Sequence, residues 1–208
     1  MDMSDEIGKA ASHPRPVSLC SDFSASYYRQ QRAEMLEFLP ETVQVMLDDG
    51  CGEGGFGAIV KRHRNAEVWG IEMFPRAAEK ARCELDRVFE GNIETDTFDL
   101  PEDYFDCIVF NDSLEHFRQP WEVLRQLNRS LKVGGCILAS IPNVRYYENV
   151  KNLALNGHWE YTDKGLMDRT HLRFFTLKSA KRMLEESGDS VDRDEGIGYT
   201  WTSWNFNL

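Results

Sequence analysis

Short apolar runs alternate with amphipathic stretches along most of this chain. Val43–Asp48, Glu67–Glu72, Phe105–Asn111 and Cys136–Ile141 are apolar runs of strand length, and Arg87–Phe89 is a shorter one. Phe56–Arg64, Arg76–Asp86 and Pro120–Leu131 lie between them and carry helical spacing. In the last of these, Trp121, Val123, Leu124, Leu127 and Leu131 share one side. Pro75 stands where a first helical turn begins. Val133-Gly134-Gly135 reads as a turn, and Pro142 closes the strand that follows it. Strands buried on both faces read as continuous apolar runs. Alternating with helices, they predict an α/β fold: a parallel sheet with helices on both faces.

The flanks add further elements. Tyr27–Leu39 reads as a helix beside the sheet, ended by Pro40. After Pro142 come a helix over Tyr146–Asn156, an irregular stretch with Trp159 and Tyr161, and an aromatic strand at Leu172–Phe175. A helix over Leu177–Glu186 and a closing hairpin over Gly188–Leu208 complete the chain. Residues 1–22 are polar, contain Pro14 and Pro16, and read as a flexible tail. Residues 23–208 read as one domain, with an aromatic lid at about 143–176. Trp201 and Trp204 suit either the core or a dimer surface.

Composition narrows the partners. The formal net charge of -11 over 208 residues argues against a nucleic-acid partner, which needs a basic surface. The five cysteines are odd in number and lack C-x-x-C spacing, as expected of reduced intracellular thiols. The N-terminus, M-D-M-S-D-E, is acidic and has no apolar core, so no signal peptide is expected. No stretch approaches the roughly 20 apolar residues of a membrane span. A cytoplasmic monomer or homodimer follows as the expectation.

The chemistry begins at Val45–Gly57, V-M-L-D-D-G-C-G-E-G-G-F-G. An apolar run ends in an acid, and a glycine-dense turn leads into a helix. Gly50, Gly52 and Gly55 satisfy G-x-G-x-x-G. Glycine lets a ligand approach such a turn closely, at the carboxyl end of a strand and the start of a helix. Glu72 ends the next strand, where a carboxylate can accept both hydroxyls of a ribose. These features suit NAD and other adenosyl ligands alike.

The later segments separate the two. L-D-D-G-C-G-E-G (47–54), G-I-E (70–72), F-D-C-I-V-F-N-D-S-L-E-H (105–116), L-K-V-G-G (131–135) and S-I-P-N (140–143) occur in order over most of the chain. In this set the chain resembles the class I S-adenosylmethionine-dependent methyltransferases. The run W-E-Y-T-D-K-G-L-M-D-R-T-H-L-R-F-F-T (159–176) is similar to small bacterial members of the methyltransferase type 11/12/23 group, often associated with polysaccharide or secondary-metabolite pathways. The resemblance implies a Rossmann-like, doubly wound, mostly parallel seven-stranded sheet with helices on both faces, and S-adenosylmethionine as cofactor. It places Asp48 and the loop Gly50, Cys51 and Gly52 at the amino-acid end of that cofactor. It gives Glu72 the ribose and Met73, Asn92 and Ile93 the adenine. Asn111 and Asp112 would line the sulfonium end. Asn92 stands where the family usually has Asp, and Asp49 where it usually has a small apolar residue.

Transfer to oxygen needs a base, and His116 and His171 are the candidates. Asp168 and Glu160 are candidates to orient one of them. If Asp112-x-x-Glu115-His116 is helical, its three side chains share a face and could hold a divalent cation, with or without His171. The expected reaction is methylation of a small molecule, most plausibly at oxygen, on a sugar or secondary metabolite. Two rivals stand beside it. One is a silent S-adenosylmethionine-binding or partner-binding module, and the other is an NAD-dependent oxidoreductase.

Overall fold

The computed structural model describes residues 32–197 and the backbone of 203–207. The tail at 1–22, the start of the Tyr27–Leu39 helix and Trp201 lie outside the described residues, as does the side chain of Trp204.

Five parallel strands form the body of one sheet: β1 (Val45–Asp49), β2 (Glu67–Glu72), β3 (Arg87–Glu90), β4 (Phe105–Asn111) and β5 (Leu131–Pro142). They lie side by side in the order β3-β2-β1-β4-β5. The order reverses between β1 and β4, so the ends of these two strands flank the crevice where α/β sheets bind ligands. Beyond β5 the pairing turns antiparallel, to β7 (Ser203–Asn207) and then β6 (Arg193–Ile197).

Strand side chains alternate between faces, and both faces of this sheet are buried. Along β4, Phe105, Ile108 and Phe110 join one core with Trp69, Leu124 and Met183. Cys107 and Val109 point the other way, into a core with Met35, Phe56, Val60 and Leu85. The helices α1 (Gly55–Arg64), α2 (Pro75–Ala81), α3 (Pro120–Leu127), α4 (Tyr147–Asn156) and α5 (Leu177–Ser187) complete the layers. In α3 the buried set is Pro120, Val123, Leu124 and Leu127, the apolar side read from the sequence. By contrast, α4 buries none of its residues. Thr176 caps α5 in a capping box with Ser179. Among the described residues no helix is long and apolar enough to cross a membrane.

Four expectations need correction. The described part of the Tyr27–Leu39 helix is a 3-10 turn, Ala33–Glu37. α2 stops at Ala81, because Arg82–Glu84 tighten into turns that bring Asp86 back to Val68. Leu131 opens β5 instead of ending α3, and the strand continues through Gly134 and Gly135. Those glycines form a bulge: Phe105 faces Leu131, whereas Cys107 already faces Cys136. Leu172–Phe175 is a loop, with a single bridge from Phe175 to Asn143. The N–H groups of Leu172 and Arg173 donate to the carbonyl of Glu115 at 2.8 and 3.0 Å, so they are spent on a turn rather than a neighbouring strand.

Candidate functional site

The sheet delivers its polar residues to one rim. β1 ends in Asp48 and Asp49, both buried among the strand ends. The chain then turns through Gly50, Gly52 and Gly54, whose φ values of 76, 56 and 83° lie in the left-handed region. Gly50 also passes close to the segment after β4, where an added Cβ would sit 3.1 Å from that of Ser113. The Gly50→Ala variant is therefore expected to lose about 1–2 kcal/mol of stability from backbone strain, before any contact is counted. A urea midpoint equal to that of the parent would disprove the left-handed strain at this position.

Several donors of this loop are already used. The N–H groups of Gly50 and Cys51 donate to the carbonyl of Ile71 at 2.9 and 3.1 Å, and that of Gly52 donates to Oε2 of Glu72 at 2.8 Å. Oε1 of Glu72 accepts from the N–H of Phe74 at 2.9 Å. A second lone pair on each Glu72 oxygen can still meet a hydroxyl. The loop thus turns acceptors outward, with Asp48, Asp49 and Glu72 clustered beside them. Cys51 contributes main chain only, since its Sγ packs against Gly70.

Such crowding has an electrostatic signature. Burial, then the charge of Glu72, raises the pKa of Asp48 from 3.8 to about 7. Burial followed by Asp48, Glu72 and Glu94 pushes Asp49 well above the ordinary carboxylate range. Glu72 is also raised by burial, which its hydrogen bonds to Phe74 and Gly52 partly offset. Most of the buried side-chain polar atoms that lack a partner among the described residues gather at this rim. They are Oδ1 of Asp48, Oδ2 of Asp49, both amide atoms of Asn111, Oγ of Ser113 and both oxygens of Glu115. Unpartnered buried groups are costly, so a rim full of them fits a polar ligand. Buried carboxyls on three sides, whose ionised forms burial disfavours, gain most from a neighbouring positive charge, so the rim suits a cationic one.

Beside Glu72, Met73 and Phe74 are exposed at 52 and 37 %, an apolar pair next to a carboxylate. The Oδ1 of Asn92 accepts from the N–H of Glu94 at 2.9 Å, which fixes the side chain in a local turn. Ile93 is buried in the core with Trp69 and Ile71, leaving only its main chain for a ligand.

The segment after β4 departs from the helical expectation. Asp112 has φ 51°, and only Leu114–His116 forms a short 3-10 turn. Asp112 is drawn away from Glu115 and His116. Its Oδ2 pairs with Arg32 at 2.6 Å and its Oδ1 accepts from Ser140 at 2.7 Å. The cation set Asp112, Glu115 and His116 is therefore replaced by another: Glu115, His116 and His171 converge, with ligand atoms all within 4.8 Å of one another. The two candidate bases meet edge to face, with ring centroids 4.8 Å apart. His116 Nδ1 lies 3.2 Å from the carbonyl of Thr170 and His171 Nδ1 lies 3.0 Å from that of Leu166. Burial holds both imidazoles below the ordinary value of 6.5, so both are neutral at physiological pH.

The remaining candidates separate. Asp168 is buried and braces the loop, accepting from the N–H and hydroxyl of Thr170 at 2.8 and 2.7 Å, and Glu160 is exposed. In the aromatic insertion, Phe174 packs on Trp159, Tyr161 and His171, with centroids at 5.3, 6.0 and 6.3 Å, while Phe175 enters the core. A separate hollow of about 300 Å³ between α3 and α5, lined by Trp121, Arg173 and Met183, lies away from the glycine loop. Arg32 and Ser140 were missed from the sequence. No local pattern marks an arginine whose partner lies 80 positions on.

Comparison with known proteins agrees with this geometry. Residues 23–192 match the family model described as a methyltransferase domain. A ubiquinone biosynthesis O-methyltransferase from Thiobacillus denitrificans is 32% identical over 167 residues, covering 74% of this chain and 68% of that protein. One from Cereibacter sphaeroides is 26% identical over 173 residues, covering 78% and 67%. A crystal structure of a SAM-dependent methyltransferase from Aquifex aeolicus superposes with a TM-score of 0.62 at 17% identity, over 89% of this chain and 92% of that one. The chain belongs to the class I S-adenosylmethionine-dependent methyltransferases, in the group of small bacterial methyltransferase domains.

Proposed function

We propose that this methyltransferase acts on an oxygen of a small molecule, a sugar or a secondary metabolite. The observation that carries the cofactor side is the loop with the N–H groups of Gly50, Cys51 and Gly52 spent and three buried carboxyls beside it. A dinucleotide brings a pyrophosphate dianion, which a rim crowded with carboxyls disfavours. S-adenosylmethionine brings an ammonium and a sulfonium. Asp48 and the loop carbonyls suit the ammonium, and the first turn of α1 suits the carboxylate. Glu72 holds the ribose, Met73 and the main chain at Asn92 and Ile93 border the adenine, and Asn111 reaches the sulfonium end. Bound there, the cofactor supplies a methyl carbon already activated for in-line displacement.

What remains for the chain is to align the acceptor and take its proton. His116 and His171 are neutral imidazoles at the sulfonium end, and either can accept a hydroxyl proton. In the aromatic insertion at about 143–176, Phe174 packs on His171 and Trp159 packs on Phe174, as a lid over the acceptor would. O-methylation also agrees with the names of the relatives. We read residues 23–208 as one cytoplasmic domain behind a tail at 1–22. In this reading β6 and β7 complete a seven-stranded sheet, and the protein is a monomer or homodimer without a nucleic-acid partner.

Thermal shift and calorimetry with S-adenosylmethionine and NAD come first, since a ligand that binds only the native state raises its melting temperature. Stabilisation by the sulfonium ligand alone is expected. Methyl transfer to phenols and sugars, followed by mass spectrometry of the product, then tests the oxygen. Binding without transfer to any acceptor would favour a silent cofactor-binding module instead.

A further inference from the structure

We propose that Cys107 and Cys136 form a reversible dithiol–disulfide site, closed by a peroxide and reopened by a thiol reductant. Cys107 lies on β4 and Cys136 on β5, and the two stand directly opposite each other in the parallel ladder. Residues paired in this way point to the same face of a sheet. Both enter the core that also holds Val109 and Leu138. Neighbouring strands run about 4.7–4.9 Å apart, and a disulfide joins Cα atoms about 4.4–6.8 Å apart. The backbone is thus already spaced for the bond.

The bulge in β5 creates the pair. Phe105 faces Leu131, so unbroken pairing would set Val133 opposite Cys107. The extra residues, Gly134 and Gly135 among them, bring Cys136 there instead. The same bulge borders a way in. A hollow of about 350 Å³ near the amino ends of β1 and β4 is lined by Val43, Asp106, Lys132, Gly135 and Cys136, among others. Water occupies about 30 Å³, so a hollow of this size admits a small peroxide. Cys107 has no exposed surface and sits behind Cys136.

That order assigns the two roles. The thiolate is the nucleophile of cysteine chemistry. Contact with Cys107 holds the Cys136 thiol below its ordinary 9.0, against burial and the charge of Asp106. Contact with Cys136, then burial, raises Cys107. Cys136 therefore ionises first, on the side that meets the hollow. Its sulfur attacks one peroxide oxygen, the O–O bond breaks, and the other oxygen leaves as water or an alcohol with a proton from solvent. Cys136 is then a sulfenic acid. The sulfur of Cys107 attacks it, the S–O bond breaks, and the hydroxyl leaves as water with the Cys107 proton. Each sulfur has lost one electron and the peroxide has gained two. A thiol reductant reverses the change by exchange.

The test reads sulfur alone and does not depend on methyl transfer. The reduced full chain is treated with equimolar hydrogen peroxide, remaining thiols are alkylated in denaturant, and the peptides are mapped by mass spectrometry. Two of the five thiols should disappear together, in one peptide pair that joins Cys107 to Cys136, and dithiothreitol should restore both. The oxidised chain should keep a cooperative melting transition, as expected of a bond that closes within the native fold. In Cys107→Ala the crosslink should be lost and Cys136 should stop at a sulfenic acid, trapped by dimedone. In Cys136→Ala, Cys107 should stay a free thiol. If either variant fails to fold, the peptide map of the parent decides alone. Oxidation of the exposed Cys83 that leaves Cys107 and Cys136 as thiols overturns the proposal. So does a crosslink that forms only once the melting transition is lost, or a sulfenic acid at Cys136 of the parent that never passes to Cys107.

Discussion

Glu72→Ala is expected to weaken S-adenosylmethionine binding by about 10²–10⁴-fold while the protein stays folded. Two ribose hydroxyls donating to a carboxylate are worth about 1.5–3 kcal/mol each, or about 3–6 kcal/mol together, and about 1.4 kcal/mol is tenfold. Glu72 can supply both acceptors because Gly52 and Phe74 each use one lone pair per oxygen and hold the plane of the carboxylate fixed. Loss of those two bonds also loosens the glycine loop, which adds to the effect. Folding gains an offset, since a carboxylate raised by burial no longer has to be desolvated. Glu72→Gln keeps one acceptor and should fall between parent and alanine. Calorimetry on the three proteins, with melting temperatures alongside, checks the order. An alanine variant that binds as well as the parent would remove Glu72 from the ribose.

The contrast between what could and could not be read from the sequence follows the range of the interactions. Met46-Leu47, Val68–Ile71 and Cys107–Phe110 are apolar at every position because helices cover both faces of a parallel strand, so these strands were legible. The proline at the start of α2 and that of α3 marked helix beginnings. The glycine loop and Glu72 were legible because each needs its residue type locally. Elsewhere tertiary pairing overrode local preference. Gly134-Gly135 favours a turn, yet the register with β4 absorbs it as a bulge. Leu172–Phe175 has strand composition, yet its donors go to Glu115. The spacing of Asp112, Glu115 and His116 promised a shared helical face, and a left-handed residue at Asp112 undid it. His171 joins Glu115 across 56 positions, a pairing that no periodicity in one sequence encodes.

Cofactor affinity should rise steeply with pH and then level off, and Asp48 should set the midpoint. In the free protein its carboxyl titrates at about 7, because it is buried and faces Glu72. Bound ammonium and sulfonium charges favour its ionised form. Below pH of about 7 the ligand must therefore expel a proton, and affinity should drop by up to about tenfold per unit of pH. Above about 8 it should be flat. Asp49, also raised by burial, would add a second proton and steepen the slope if the ligand ionises it too. The free protein responds in the opposite sense. A carboxyl raised in the folded state contributes stability that is complete below its ordinary 3.8 and is lost as pH rises through about 7. His116 and His171 are depressed, so their contribution is present above 6.5 and lost as pH falls through their lower folded values. Comparison with Asp48→Asn at each pH cancels the histidines. That variant should be more stable than the parent at pH 8, by on the order of 3 kcal/mol, and no more stable near pH 4. Its cofactor affinity should be weak and less dependent on pH. Calorimetry between pH 5.5 and 8.5, in buffers of different ionisation enthalpy, counts the protons released. A slope that survives intact in Asp48→Asn would assign the linkage to another group, and a parent that releases no proton would mean that Asp48 does not meet the cofactor.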